Sequence, residues 1–346
     1  MGDCTGQYSL YLNLYCCQGP RQIARMSTAT LKARITLAYG CIYLVWGTTY
    51  LGIAVAIQTL PPFTSGGVRF LFAAALMFAW LALRDPAQLR GLPWRHALLS
   101  GALLGGAGNG FVVWAQQGLP SGTAALIVAA IPVEVLLLNW AFFERSRPTR
   151  RALIGTGLAL AGVTTIVATR QGIGGDTSPI YLVVILLGGI AWSIGTLQQR
   201  RATQPAHLLG VASVQMLAGG LFQGSMALAT REWIGFDPSQ VSVASAVAVL
   251  YLAVFGSIIA LTCYVWLLTQ EPAQKVATYA LVNPVIAVVL GAIVLGETIT
   301  SATVAGALLV IAGVALVLFQ NLKAPKLPSM PVGVSRGARA PASVDR

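Results

Sequence analysis

Residues 124–133 read Ala-Ala-Leu-Ile-Val-Ala-Ala-Ile-Pro-Val, and residues 276–285 read Val-Ala-Thr-Tyr-Ala-Leu-Val-Asn-Pro-Val. Both are apolar runs with proline in the ninth place, and their surroundings keep step. Trp114, Pro120 and Pro132 return 152 residues later as Trp266, Pro272 and Pro284. A second block, offset by 146, pairs Trp46 with Trp192 and Val68-Arg69 with Val214-Gln215. The six-residue difference fits a longer loop before an eighth apolar segment. Beyond the prolines, Glu144, Gly155 and Gly162 answer to Glu297, Gly306 and Gly313. The chain therefore reads as two copies of one unit.

Working outward, apolar windows long enough to cross a ~30 Å hydrocarbon core fall near residues 35–57, 63–83, 97–117, 121–143 and 152–169. Five more fall near 180–197, 208–229, 244–268, 273–295 and 299–319. The expected fold is an all-α integral membrane protein of ten transmembrane helices. A five-span unit crosses an odd number of times, so its duplicate enters from the opposite side, giving two inverted five-helix repeats at 35–169 and 180–320. Residues 1–34 are expected to be a cytoplasmic segment disordered in part, and 321–346 a disordered cytoplasmic tail rich in Lys, Arg, Pro and Ser. Residues upstream of Met26 read as a start-site extension or a loose tail; no signal peptide is evident, since Arg21 and Arg25 follow the short Tyr/Leu stretch instead of preceding it.

Composition agrees. Of 346 residues, 56% are hydrophobic and only 9% charged, where a soluble domain carries about 25% charged residues; too few charges remain to coat a globule. The net charge of +12 lies in short clusters between the apolar runs, such as Arg145, Arg147, Arg150 and Arg151, and not on an aromatic-interleaved face, so nucleic acid is not an expected partner. With the amino terminus in the cytoplasm, nineteen of the 22 basic residues lie inside and only Arg170 and Arg231 outside. The positive-inside rule thus predicts a multi-pass protein of the cytoplasmic, or inner, membrane with both termini in the cytoplasm. The five cysteines form no Cys-x-x-Cys pair, and His96 and His207 fall in loops; no metal site, disulfide framework or cofactor is expected. The glycines from Gly101 to Gly110 lack the Gly-Lys-Ser/Thr of a phosphate loop and suit close helix packing.

These landmarks resemble the drug/metabolite transporter superfamily, specifically its EamA-type ten-span members. The likeness is carried by Trp46-Gly47-Thr48-Thr49-Tyr50, by Pro132 followed by Glu144, and by Asn283-Pro284-Val285 followed by Gly296-Glu297 with Gly306 and Gly313. It covers residues 35–320. The resemblance implies a secondary carrier, often an exporter of small metabolites, amino acids or toxic compounds, driven by ion gradients or exchange. It fixes neither a substrate nor a binding residue.

Within the spans only Arg69 and Glu134 are charged well away from an end, and an ion at mid-bilayer costs about 2.5–3.5 kcal/mol even on insertion scales. Glu134 is the candidate proton-binding or substrate-amine-binding group, or else a hydrogen-bonded structural acid. Arg69 could hold an anion through its planar fork, snorkel outward, or pair with Glu134. Trp46, Tyr50, Asn109, Trp192, Gln215, Tyr279 and Asn283 complete a plausible cavity at the interface of the halves, though aromatics in helices often only pack. Pro132 and Pro284 are hinge candidates, because each removes a helix hydrogen bond. Glu144 and Glu297 are gate candidates, or simply solvated helix ends.

The expected function is a non-enzymatic secondary transporter, with two five-helix halves rocking around a central cavity in the lipid bilayer. It would export small organic metabolites or drugs, coupled to protons or to exchange. A membrane enzyme would need clustered acids or histidines at one face. A non-transporting assembly factor would favour a large soluble domain. The longest internal loop is about a dozen residues, short for such a role.

Overall fold

The structure is a computed structural model, and it describes residues 28–143, 145, 147–168, 178–202, 208–271 and 276–319. Among these the chain is helical throughout, without a strand. The first helices are α1 (Thr28–Ala56), α2 (Pro62–Arg84), α3 (Trp94–Ala115), α4 (Ser121–Phe143) and α5 (Arg150–Ala168). Then follow α6 (Pro179–Ala202), α7 (Leu208–Ala229), α8 (Val243–Gln270), α9 (Tyr279–Leu295) and α10 (Ser301–Leu318). Eight of them are long and apolar enough to cross a membrane; the 17-residue α9 is apolar but shorter. Helix α1 begins at Thr28, inside the segment read as preceding the first span, because Thr-Leu-Lys-Ala-Arg contains nothing that breaks a helix.

Local chemistry sets the helix ends. Pro62 opens α2, where a missing N–H is harmless. Ser242 and Thr300 cap α8 and α10, each hydroxyl accepting a bond of 3.1 Å from the backbone N–H three residues on. Gly296 closes α9 with φ of 67°, a left-handed turn that glycine enters without a Cβ clash.

Burial is distributed as lipid requires. Large apolar side chains such as Leu37, Leu83, Ile293 and Leu308 point outward, exposed by 65% or more, which suits hydrocarbon and not water. The interior holds the polar groups instead: Arg69, Gln199, Gln215, Gln223 and Asn283 are all buried.

The helices of the amino-terminal half interleave with those of the other half. Helix α2 packs along α7, and α5 along α10. Helix α1 lies against α8 and α9, while α6 lies against α3 and α4. The α5–α10 crossing is built on glycine: a Cβ on Gly155 would strike the Gly313 carbonyl, and one on Gly162 the Gly306 carbonyl, 2.7 Å away. In the α3–α7 crossing, the Cβ of an alanine at 219 would lie 3.0–3.1 Å from the Gly105 backbone. Small residues thus let the backbones approach and gain dispersion contact, the main source of helix association where lipid is as apolar as leucine.

Helices α3 and α8 share an unusual centre. Residues Ala102–Gly108 and Leu252–Ala260 are wound as π-helix between ordinary α-helical turns. The wider winding frees carbonyls for other partners. Gln223 donates to the Gly105 carbonyl (2.7 Å) and the Trp46 indole to the Gly256 carbonyl (3.3 Å).

Candidate functional site

The π segments of α3 and α8 flank a central cavity of about 70 Å3 lined by α1, α2, α3, α4, α6, α8 and α9. Its walls include Trp46, Tyr50, Arg69, Asn109, Trp192, Tyr279 and Asn283. Seven of the nine residues that the sequence singled out as binding or coupling candidates therefore share one wall system.

Aromatic rings close one side of it. Trp46 meets Trp192 edge to face with centroids 5.6 Å apart, Tyr279 at 5.0 Å and Tyr264 at 5.1 Å. Such tilted and T-shaped pairs place positive ring edges on negative faces. One turn beyond Trp46, the hydroxyls of Tyr43 and Thr278 hydrogen-bond at 2.6 Å, joining α1 to the start of α9. The Asn283 amide nitrogen donates to the carbonyls of Tyr43 (3.0 Å) and Tyr279 (3.2 Å) and so fastens the same corner.

Arg69 also lines the cavity and is only 4% exposed. Its Nε donates to Ser257 Oγ at 2.8 Å, and its guanidinium sits 4.8 Å from the Phe70 ring centroid. Gly256 makes room for it: a Cβ there would stand 3.0 Å from Nη2. Among the described residues the buried Nη1 has no hydrogen-bond partner, and neither does Asn109 Oδ1. Arg69 neither snorkels nor forms an ion pair with Glu134.

Glu134 stands beside the cavity, half-buried on α4. Its carboxylate accepts from Ser193 Oγ at 3.2 Å and fills the space where a side chain on Gly189 would begin. Gly189 itself lines the cavity. Gln215 lies away from the cavity, donating to Ser100 Oγ (2.8 Å) and to the Gln199 side-chain carbonyl, so it ties α7 to α3 and α6.

The hinge and gate candidates occupy distinct places. Helix α4 is interrupted by a turn at Ala129 and Ala130, just before Pro132, where Val133 N–H reaches back only three residues to the Ala130 carbonyl (2.9 Å). Pro284 sits inside the continuous α9. The Glu297 carboxylate accepts from the backbone N–H groups of Ser121 (2.7 Å) and Gly122 (3.1 Å), capping α4 from the end of α9. Glu144 lies outside the described residues. Sequence reading passed over Ser193, Ser257, Tyr264, Gly189 and Gly256. Tyr264 had a signal, lying two places before the repeated Trp266, whereas the other four become meaningful only when helices of the opposite half are set beside them.

The model of the EamA-like transporter family matches this chain twice, over residues 35–168 and 179–319. The chain belongs to the EamA-like transporter family. It is 36% identical over 262 residues, 75% of its length and 82% of the relative, to the uncharacterized inner membrane transporter YedA of Escherichia coli K12. It is 25% identical over 284 residues to a probable amino-acid metabolite efflux pump of Salmonella typhimurium, covering 80% of this chain and 92% of that one. A solved crystal structure shares the fold with a TM-score of 0.58 at 21% identity, over 82% of this chain and 96% of the other. As an EamA-like protein, the chain is a multi-pass membrane transporter, and the central cavity is the candidate place for its solute.

Proposed function

We propose that this EamA-like chain is a secondary active transporter of the cytoplasmic membrane that exports small organic solutes, amino acids and related metabolites or drugs, by alternating access. The observation that carries the proposal is the cavity itself, walled by helices of both halves and bearing a buried cation and a neighbouring acid in a bundle that lipid surrounds. Intramembrane ionisable groups are expensive and usually mark a pathway.

Ten spans in two inverted repeats are part of the same reading, with α5 and α9 joining the other eight helices. Reciprocal contacts support it. Gly155 against Gly313 and Gly162 against Gly306 is one contact seen twice if the halves are related by a two-fold axis. Gln88, which follows α2, caps α7 by accepting from Leu209 N–H at 3.1 Å. Glu232, which follows α7, caps α2 by accepting from Phe63 N–H (2.9 Å) and Thr64 N–H (2.7 Å). The π segments at the centres of α3 and α8 add a third correspondence, while the π segment Asn139–Phe143 at the end of α4 has no counterpart in α9.

Because α1 packs with α8 and α9, and α6 with α3 and α4, the moving bodies are these mixed bundles and not the sequence halves. Both chain ends lie in the cytoplasm by the distribution of basic residues, which puts the aromatic cluster and the Tyr43–Thr278 bond on the cytoplasmic side of the cavity. Glu134 is the coupling group: its carboxyl has one hydroxyl partner and a glycine notch open to the cavity wall, so it can exchange a proton or meet a substrate amine.

The full-length protein reconstituted in liposomes should show saturable counterflow of a small organic solute, without ATP. Vesicles that bind such solutes yet never exchange them across the bilayer would contradict the reading.

A further inference from the structure

Arg69 presents an imbalance that its surroundings leave open. Its Nε is held by Ser257 and its face lies on Phe70, yet Nη1 is buried without an acceptor. Among the described residues no acidic side chain lines the cavity with it, and Glu134, beside the cavity with Ser193 as its hydroxyl partner, forms no ion pair with it. A buried charge without a counter-charge is strongly unfavourable, and removing one partner of such a pair is what ordinarily produces it. Here the missing partner would enter through the cavity, because Arg69 lines it.

Resting on the transporter reading above, we infer that the cavity selects a small organic monoanion whose carboxylate docks on the Nη edge of Arg69. Charge balance sets the valence: one cation in the wall neutralises one negative charge, and a dianionic phosphate would retain a second charge with nothing to meet it. Shape sets the group, since the planar fork of guanidinium matches carboxylate with two parallel hydrogen bonds. The rest of the ligand is set by the rest of the wall. Phe70, Ile53, Val112, Val128, Ile131 and Leu261 call for an apolar or aromatic body, while the unpartnered Asn109 Oδ1 accepts one N–H or O–H. A volume of about 70 Å3, where one water needs about 10–15 Å3 on the same measure, suits a compact solute and not a polycyclic one.

The second half emphasises the selectivity. At the position related to Arg69 the chain has Gln215, which is spent on Gln199 and Ser100. At the position related to Glu134 it has Ile286, which packs against Gly47. The site is thus electrically one-sided, with its anion hook confined to α2.

The test is equilibrium binding to the purified full-length protein in detergent, read by thermal shift and tryptophan fluorescence. The probes are butyrate, hexanoate and hydrocinnamate, each paired with its uncharged amide and its amine. At least one acid should bind about tenfold or more tighter than its own amide, the scale of one charge-assisted interaction, and Arg69→Gln should erase that preference. Asn109→Asp, which leaves Arg69 in place but adds a competing anion, should weaken the acids without weakening the amides, and it decides the matter if Arg69→Gln does not fold. Equal binding of acid and amide, preference for the amine, or no binding of any acid overturns the inference. Counterflow separates the two readings: transport of amides or amines with no preference for acids sinks the anion hook and leaves the carrier, whereas tight acid binding without transport sinks the carrier and leaves the hook.

Discussion

Trp46 and Trp192, 146 positions apart in sequence, meet edge to face at the centre of the molecule with ring centroids 5.6 Å apart. Each comes from the first helix of its half, so this contact is where α1 and α6 face one another beside the cavity. Trp46 is further fixed by its indole bond to Gly256 in the π segment of α8.

Trp46→Ala should therefore remove packing and a hydrogen bond together. Truncating a buried tryptophan costs about 3–5 kcal/mol, so a large fall in melting temperature in detergent is expected, with loss of counterflow. Trp46→Phe keeps a ring for Trp192, Tyr264 and Tyr279 and should retain much of both.

Glu134→Gln preserves shape and the Ser193 contact while removing the titratable group. Counterflow of a neutral or anionic solute should persist, and its acceleration by a pH gradient should vanish. A variant with the pH response of the parent protein would take Glu134 out of the coupling step.

Gly189→Ala should imitate that loss with Glu134 still present, because the new methyl claims the space of the carboxylate. Gly224→Ala is the control: nothing lies within 4 Å of the Cβ it adds, and alanine is favoured over glycine in a helix by up to about 1 kcal/mol. Melting temperature and transport should both fall in the first and hold or rise in the second.

Glu297→Ala removes the carboxylate that caps α4 through Ser121 and Gly122. A lost cap is worth about 0.5–2 kcal/mol, and the same scale applies to Glu232→Ala at the start of α2. Each should lower the thermal midpoint measurably, while exposed Glu or Asp controls should not.

Much of the helical plan was legible because lipid imposes it: runs such as 121–143 are too apolar and too long for anything else to satisfy their backbone. The cavity residues Trp46 and Trp192 were legible from their repeat offset, and Arg69 from being a lone charge in an apolar run. What stayed hidden depends on the relative placement of helices distant in sequence. Ser257 matters because α8 passes behind α2, and Gly189 because α6 passes behind α4; neither has a local pattern to distinguish it from ordinary packing. The π segments were also invisible, since a shift of hydrogen-bond register has no single-residue signature. The glycines of α3 were read as helix contacts, which Gly105 is against Gly219, yet Gly105 and Gly108 also form cavity wall. Glu297 illustrates a different limit, as its partners are backbone N–H groups that any sequence would supply.

A cavity that opens to one side at a time requires the contact between Tyr43 and Thr278 to part in each cycle. The most direct measurement is counterflow by Tyr43→Cys/Thr278→Cys, with all five native cysteines, Cys4, Cys16, Cys17, Cys41 and Cys263, replaced by serine, before and after bridging by a short bismaleimide. Bridging should abolish transport while solute binding from the other side survives. Transport at an unchanged rate through the bridged protein would contradict it.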